Sequence, residues 1–165
     1  MKFTVTHEID CSTDRFLELM LSTDFCRELF VFLDVPEWEA EQKDTGDVIV
    51  RHVNARSRIA MPGPLAKVLG ERMLGFTEMT RFDKKTKEIS FVVTLAGKMA
   101  ERIKSEGVVR VEPLGTRCRR VADLVHEASF FGIGGLIESS LEKTTRATWD
   151  KSALFMNRWV TEHPQ

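Results

Sequence analysis

A chain of 165 residues, 42% hydrophobic and 30% charged, has the length of one domain and is too apolar for intrinsic disorder. Its 24 basic side chains are offset by 25 acidic ones, so no overall positive field marks a general nucleic-acid binder. Three cysteines without a Cys-x-x-Cys pair, a charged and alternating start, and no apolar run near the roughly 20 residues of a membrane span predict free thiols in a soluble, cytoplasmic protein.

In chain order, Phe3, Val5, His7 and Ile9 alternate with Lys2, Thr4, Thr6 and Glu8, the period of a half-buried strand. Ser12-Thr13-Asp14 and Ser22-Thr23-Asp24 are N-cap signals, each followed by a short apolar run, which predicts two helices in tandem. Asp34-Val35-Pro36 stops the second. From Trp38 to about Ser129 the pattern is strand after strand: 37–42, 48–55, 73–82, 89–95, 103–112 and 116–129. Turn residues such as Asp44-Thr45-Gly46-Asp47 and Pro113-Leu114-Gly115 separate them, as successive antiparallel hairpins require.

One connection is long and apolar: Met61-Pro62-Gly63-Pro64-Leu65-Ala66-Lys67-Val68-Leu69-Gly70. It reads either as a flap over the core or as the gate of a pocket, with Met61, Pro62, Pro64, Leu65, Val68 and Leu69 as its apolar side chains. After Gly132-Ile133-Gly134-Gly135 comes the longest helical segment, 136–162, which would span about 40 Å. One of its faces carries Ile137, Leu141, Thr145, Thr148, Ser152, Phe155 and Trp159, so two apolar ends flank a Thr/Ser middle. A helix packed only on a core would be apolar along the whole face.

Strand, two short helices, six strands and a long C-terminal helix is the order of the helix-grip fold. On three stretches the chain resembles the START-like superfamily, also called the polyketide-cyclase or SRPBCC superfamily. These are the opening Met-Lys-Phe-Thr-Val-Thr-His-Glu-Ile, the Pro62 to Gly70 segment followed by a strand with Glu78, and Gly132 to Gly135 leading into Ile137-Glu138. Within that group it is most similar to a bacterial family known as a domain of unknown function. The resemblance implies an α+β fold over residues 1–165 as a single domain: a strongly bent antiparallel sheet of about seven strands around the C-terminal helix. It implies a cavity for a hydrophobic small molecule, a lipid or lipid-like metabolite, and no cofactor. It also leaves a cyclase or aromatase and a protein-interaction module with a collapsed cavity in play, because fold analogy does not choose among them.

Physical cost narrows the choice. An empty cavity of 300–1,000 Å³, at about 24 cal/mol per Å³, would cost roughly 7–24 kcal/mol against a net stability of about 5–15 kcal/mol. Such a space must be small, wet or occupied. With 11 Phe, 7 Met and no Tyr, its walls disfavour water.

The expected walls are Phe3 and Val5 on the first strand, Trp38 on the second, and Phe76, Phe91, Val93, Leu95, Val109 and Leu124 across the rest of the sheet. Leu141 and Phe155 come from the long helix. His7, His126, Thr145 and Thr148 are the polar anchors, the two histidines being either core histidines or headgroup partners. The inward faces of 48–55, 73–82 and 116–129 are not fixed by the pattern, so the orientation of His52 stays open.

For catalysis, an inward His7 or His126 would need Glu78 or Asp123 as acid–base partner. No nucleophile elbow or phosphate loop is present, no histidines stand at metal spacing, and a binder is favoured over an enzyme. Arg117, Arg119 and Arg120, with Arg110 across the hairpin, are either a solvated strand or a contact for anionic lipid, and Trp149 and Trp159 would join a transient membrane contact only if exposed.

Overall fold

The computed structural model describes residues 1–58, 74–97 and 100–164. The expected gate, residues 61–70, lies outside them. The strand β1 (Lys2–Ile9) leads into α1 (Thr13–Leu21) and α2 (Thr23–Phe32), and six strands follow: β2 (Glu37–Asp44), β3 (Val48–Ser57), β4 (Leu74–Asp83), β5 (Ile89–Leu95), β6 (Ile103–Leu114) and β7 (Arg117–Ala128). The chain ends in α3 (Gly134–Glu162), 29 residues long.

Both short helices start where their caps predict. Ser12 Oγ accepts from the Arg15 amide at 3.2 Å and Ser22 Oγ from the Phe25 amide at 3.3 Å, each satisfying a donor the first helical turn would leave unpaired. α2 ends in a Schellman arrangement: the Val35 amide donates to Phe30 O and the Asp34 amide to Val31 O, with Asp34 at φ 58°. Val35 then buries itself with Phe30.

The seven strands form one antiparallel sheet in the order β1-β7-β6-β5-β4-β3-β2. Residues paired across strands share a face, so the register assigns the interior. Phe3 and Val5 lie opposite Leu124 and Ala122, His7 opposite Arg120 and Ser105 opposite His126. Across the other half, Phe91 lies opposite Thr80 and Gly107, Val93 opposite Glu78, and Val53 opposite Glu78. The parities the sequence left open are therefore Ile49-Arg51-Val53-Ala55-Ser57 on β3, Phe76-Glu78-Thr80-Phe82 on β4 and the even residues of β7. His52 is on the outer face and exposed.

Two glycines are demanded by close approach. A Cβ on Gly107 would stand 2.6 Å from both Leu124 Cδ2 and Phe91 Cζ, so the bare backbone lets those side chains meet over the sheet. A Cβ on Gly134 would stand 2.4 Å from Ala128 O, at the point where the chain leaves β7 for the helix.

The buried apolar side chains fall into three groups. The largest joins α1, α2 and the C-terminal half of α3 to β1, β5, β6 and β7, around Phe16, Phe25, Ile9 and Met156. A second, with Leu95, Ile103, Ile137 and Leu141, holds the N-terminal half of α3. The third, Val35, Val53 and Ala55 with Trp38, seats α2 on β2 and β3. The Thr/Ser middle of α3 falls between the first two.

Candidate functional site

α3 packs most closely on β1 and β7. Over β1, β6 and β7 the inner face is closed: Val5 is 5% exposed, and Val109, Ala122 and Leu124 are each at most 2% exposed. Over β3, β4 and β5 it is not. Arg51, Phe76, Glu78, Thr80, Phe91 and Val93 all point inward yet keep accessible surface. This part of the inner face is therefore only partly closed. At the strand ends of β2 to β5 an open cleft of about 680 Å³ is lined by Trp38, Ala55, Phe76 and Leu95 of the inward parity and, for the greater part, by outward residues such as Glu37, Asn54, Arg56, Thr77 and Thr94. That volume lies within the range of small-molecule pockets.

The polar groups at this part of the inner face come from β2, β3, β4 and α2. Thr80 Oγ1 donates to Glu78 Oε1 at 2.8 Å. Arg51 donates through Nε and Nη2 to Gln42 Oε1 at 2.9 and 2.7 Å, and through Nη1 to Cys26 Sγ on α2 at 3.0 Å. Burial pushes the Glu78 carboxyl above its ordinary range; the Thr80 hydrogen bond and the Arg51 charge oppose this without cancelling it. The Cys26 thiol is likewise raised by burial, against the pull of Arg51. An acid shifted toward its neutral form by burial, with a specific charge partner beside it, is a mark of candidate functional sites.

The sign of the Glu78 effect is testable. The folded chain keeps a proton that the unfolded chain releases, so stability falls as pH rises from the ordinary carboxylate pKa through the raised folded one, and stays lowered above it. Glu78→Gln removes the loss. The variant is expected to melt higher than the parent at pH 8, with the gap closing toward pH 4, in calorimetric scans across that range. An unchanged gap at both ends would refute the assignment.

The sequence matches the family model described as "Protein of unknown function (DUF2505)" over residues 4–160. The chain belongs to this family. No curated protein matches the sequence. The DUF2505 chain is similar to the crystal structure of TTHA0849 from Thermus thermophilus, with a TM-score of 0.70 at 17% identity over 100% of both chains. It is similar to the Zhui aromatase/cyclase from Streptomyces sp. R1128, with a TM-score of 0.69 at 12% identity over 100% of this chain and 96% of that one. A START superfamily protein from Mycobacterium smegmatis gives 0.62 at 14% identity, over 98% and 97%. These likenesses show the helix-grip fold expected from the sequence.

Of the residues the sequence assigned to the site, the DUF2505 fold places Trp38, Phe76 and Leu95 at the cleft and Phe91 and Val93 on the accessible inner face. Phe3, Val5, Val109, Leu124 and Phe155 belong to the closed first cluster and its margin, and Leu141 to the second. The four proposed anchors spend their hydrogen bonds within the protein. Arg120 Nη2 donates to His7 Nδ1 at 3.0 Å, which leaves His7 Nε2 to donate to Asp150 Oδ1 at 2.8 Å. His126 meets Ser105 Oγ and Thr145 Oγ1, each at 3.0 Å, and Thr148 Oγ1 donates to Thr144 O. Burial, then the positive chain terminus, lowers the His126 pKa.

The acid–base pairing named from the sequence does not form. Asp123 sits on the outer face, accepting from Thr4 Oγ1 at 2.7 Å and paired with Arg110. Both inward histidines have the partners just given rather than Glu78. The basic cluster divides as its parity requires: Arg117 reaches Glu8 at 2.8 Å and Arg119 reaches Glu112 at 3.6 Å outside, while Arg120 is 3% exposed inside. Trp149 stacks with Phe91 at 6.1 Å between ring centroids and Trp159 packs edge-on to Phe25 at 5.6 Å, so both serve packing. Arg51, Thr80, Gln42 and Cys26 were missed. Arg51 occupies an inward position between Ile49 and Val53, a signal that needed the face of β3 to be known.

Among the described residues no group of three or more His, Cys, Asp and Glu could hold a metal ion, and no helix is long and apolar enough to cross a membrane. All three cysteines are free thiols.

Proposed function

We propose that the chain, acting as one domain in a reducing cytoplasmic compartment, binds and carries a hydrophobic small molecule of lipid or lipid-like character in the space beside α3. The observation that carries this reading is the accessible inner face of β3, β4 and β5, where Phe76, Phe91 and Val93 keep surface that a core would have closed. The apolar rings supply dispersion and area burial, at about 25 cal/mol per Å². Fold likeness to an aromatase/cyclase and to a START superfamily protein supports a cavity-bearing architecture.

Organic extraction of freshly purified protein, followed by mass spectrometry, is expected to recover a hydrophobe in near-stoichiometric amount. Delipidated protein is expected to take up an uncharged fluorescent apolar probe, and Phe91→Asp to reduce uptake at least tenfold while far-ultraviolet circular dichroism stays unchanged. No co-purifying hydrophobe together with no uptake would instead favour a protein-interaction module.

A further inference from the structure

We infer that Arg51, with Glu78 and Thr80 beside it, receives the carboxylate head of an amphiphilic ligand whose apolar chain lies along Val93, Phe76 and Leu95. This rests on the proposed ligand space and names the chemical class that fits it.

Arg51 is an inward, half-buried cation with no carboxylate in ion-pair contact among the described residues. Three of its donors go to neutral acceptors, two to the Gln42 amide oxygen and one to the Cys26 sulfur, which is a weak acceptor. A half-buried guanidinium whose acceptors are all neutral gains from an anion, and a planar carboxylate matches its fork of donors. The nearest acid does not supply that anion: the Glu78 carboxyl takes its hydrogen bond from Thr80, on the same face of β4, rather than from Arg51.

The register fixes the layout. Thr80 lies directly opposite Arg51 and Glu78 opposite Val53, so head-binding groups occupy two adjacent inward rungs of β3 and β4. Val93 lies opposite Glu78, and Phe76 opposite Leu95, so the next rungs toward the cleft are apolar. Along this face an amphiphile thus finds apolar contacts at one end and the cation at the other. Charge selects the head. A single negative charge compensates Arg51, whereas a doubly charged phosphate would leave one charge without a cation beside it among the described residues. Desolvation favours the protonated form of Glu78; in that state its hydroxyl donates to the second carboxylate oxygen.

The test compares cis-parinaric acid with its methyl ester, which keeps the chain and removes the charge. Fluorescence titration of delipidated protein at pH 7 is expected to show the acid binding at least about tenfold tighter, the lower end for a charge-assisted pair. Arg51→Gln is expected to bring the acid down to the ester's affinity and leave the ester unchanged, while Arg51→Lys retains part of the preference. Equal binding of acid and ester to the parent protein overturns the inference even if every variant misfolds. So does an Arg51→Gln variant of parental melting temperature that weakens both probes alike. Tight ester binding with no preference for the acid removes only the headgroup assignment. Failure of both probes removes the ligand space with it.

Discussion

Phe25→Ala is expected to lower stability by about 3–5 kcal/mol, the range for removing a large aromatic from a closed core. Phe25 is fully buried, and its ring meets Phe155 at 5.7 Å and Trp159 at 5.6 Å between centroids. Together with Phe32, whose ring meets Phe155 at 5.1 Å, it joins α2 to the C-terminal half of α3. No polar rearrangement can fill the space, because its cluster includes Phe16, Ile9 and Met156, all at most 1% exposed. For a chain of this length each kcal/mol moves the melting temperature by about 2–4 °C, so calorimetry should show a drop of about 6–20 °C. Leu154→Ala, on α3 but 69% exposed, should stay within about 0.5 kcal/mol. A Phe25 variant that matches it would mean the helices are not joined through this ring.

The second large effect is expected at Arg120. Its Nη1 donates to Ser152 Oγ at 2.9 Å, and its Nη2 to Trp149 O at 2.9 Å and to His7 Nδ1. The guanidinium also lies 4.6 Å over the Trp149 ring. Burial pulls its pKa down to about 10, partly offset by the Asp150 charge beyond His7, so it stays charged at neutral pH. Arg120→Met keeps most of the volume but leaves the buried His7 nitrogen without its donor and ends the clamp on α3. The expected cost is about 3 kcal/mol, from one stranded acceptor and the lost contacts. It should appear as a lower urea midpoint at unchanged slope. Asp150→Asn should cost far less, because that carboxyl is 69% exposed and water compensates it. Equal costs for the two variants would place the clamp elsewhere.

The architecture was legible because period-two alternation, paired N-caps and the glycine run before a long uninterrupted helix all act locally. Ser12, Ser22, Asp34 and Gly134 each do in the structure what their residue type dictates. Most strand limits fell within two residues of the pattern, as with 103–112 against Ile103–Leu114. The site was harder to read. On β3 both parities are half apolar, Val48-Val50 against Ile49-Val53, so the alternation could not say that Arg51 turns inward. Only the register with β4 decides it. Asp123 and Glu78 look equivalent as strand carboxylates, yet pairing places one beside Thr4 outside and the other beside Thr80 inside. His7 and His126 had inward parity as expected. Their partners Asp150 and Thr145 come from a helix more than 100 residues away from His7 and 19 from His126, at a rotation no pattern in one strand contains.

The last strand of the sheet order, β2, has a consequence for how copies of the chain meet. Among the described residues it pairs only with β3, so one row of its backbone donors and acceptors is available to another strand. Glu37, Glu39 and Glu41 stand on one face of that row and Asp44 at its end, all exposed. A second molecule laid antiparallel along the same border would bring carboxylates against carboxylates with little surface to desolvate them. The border thus discourages ribbon-like self-association, a safeguard built from composition rather than from covering structure.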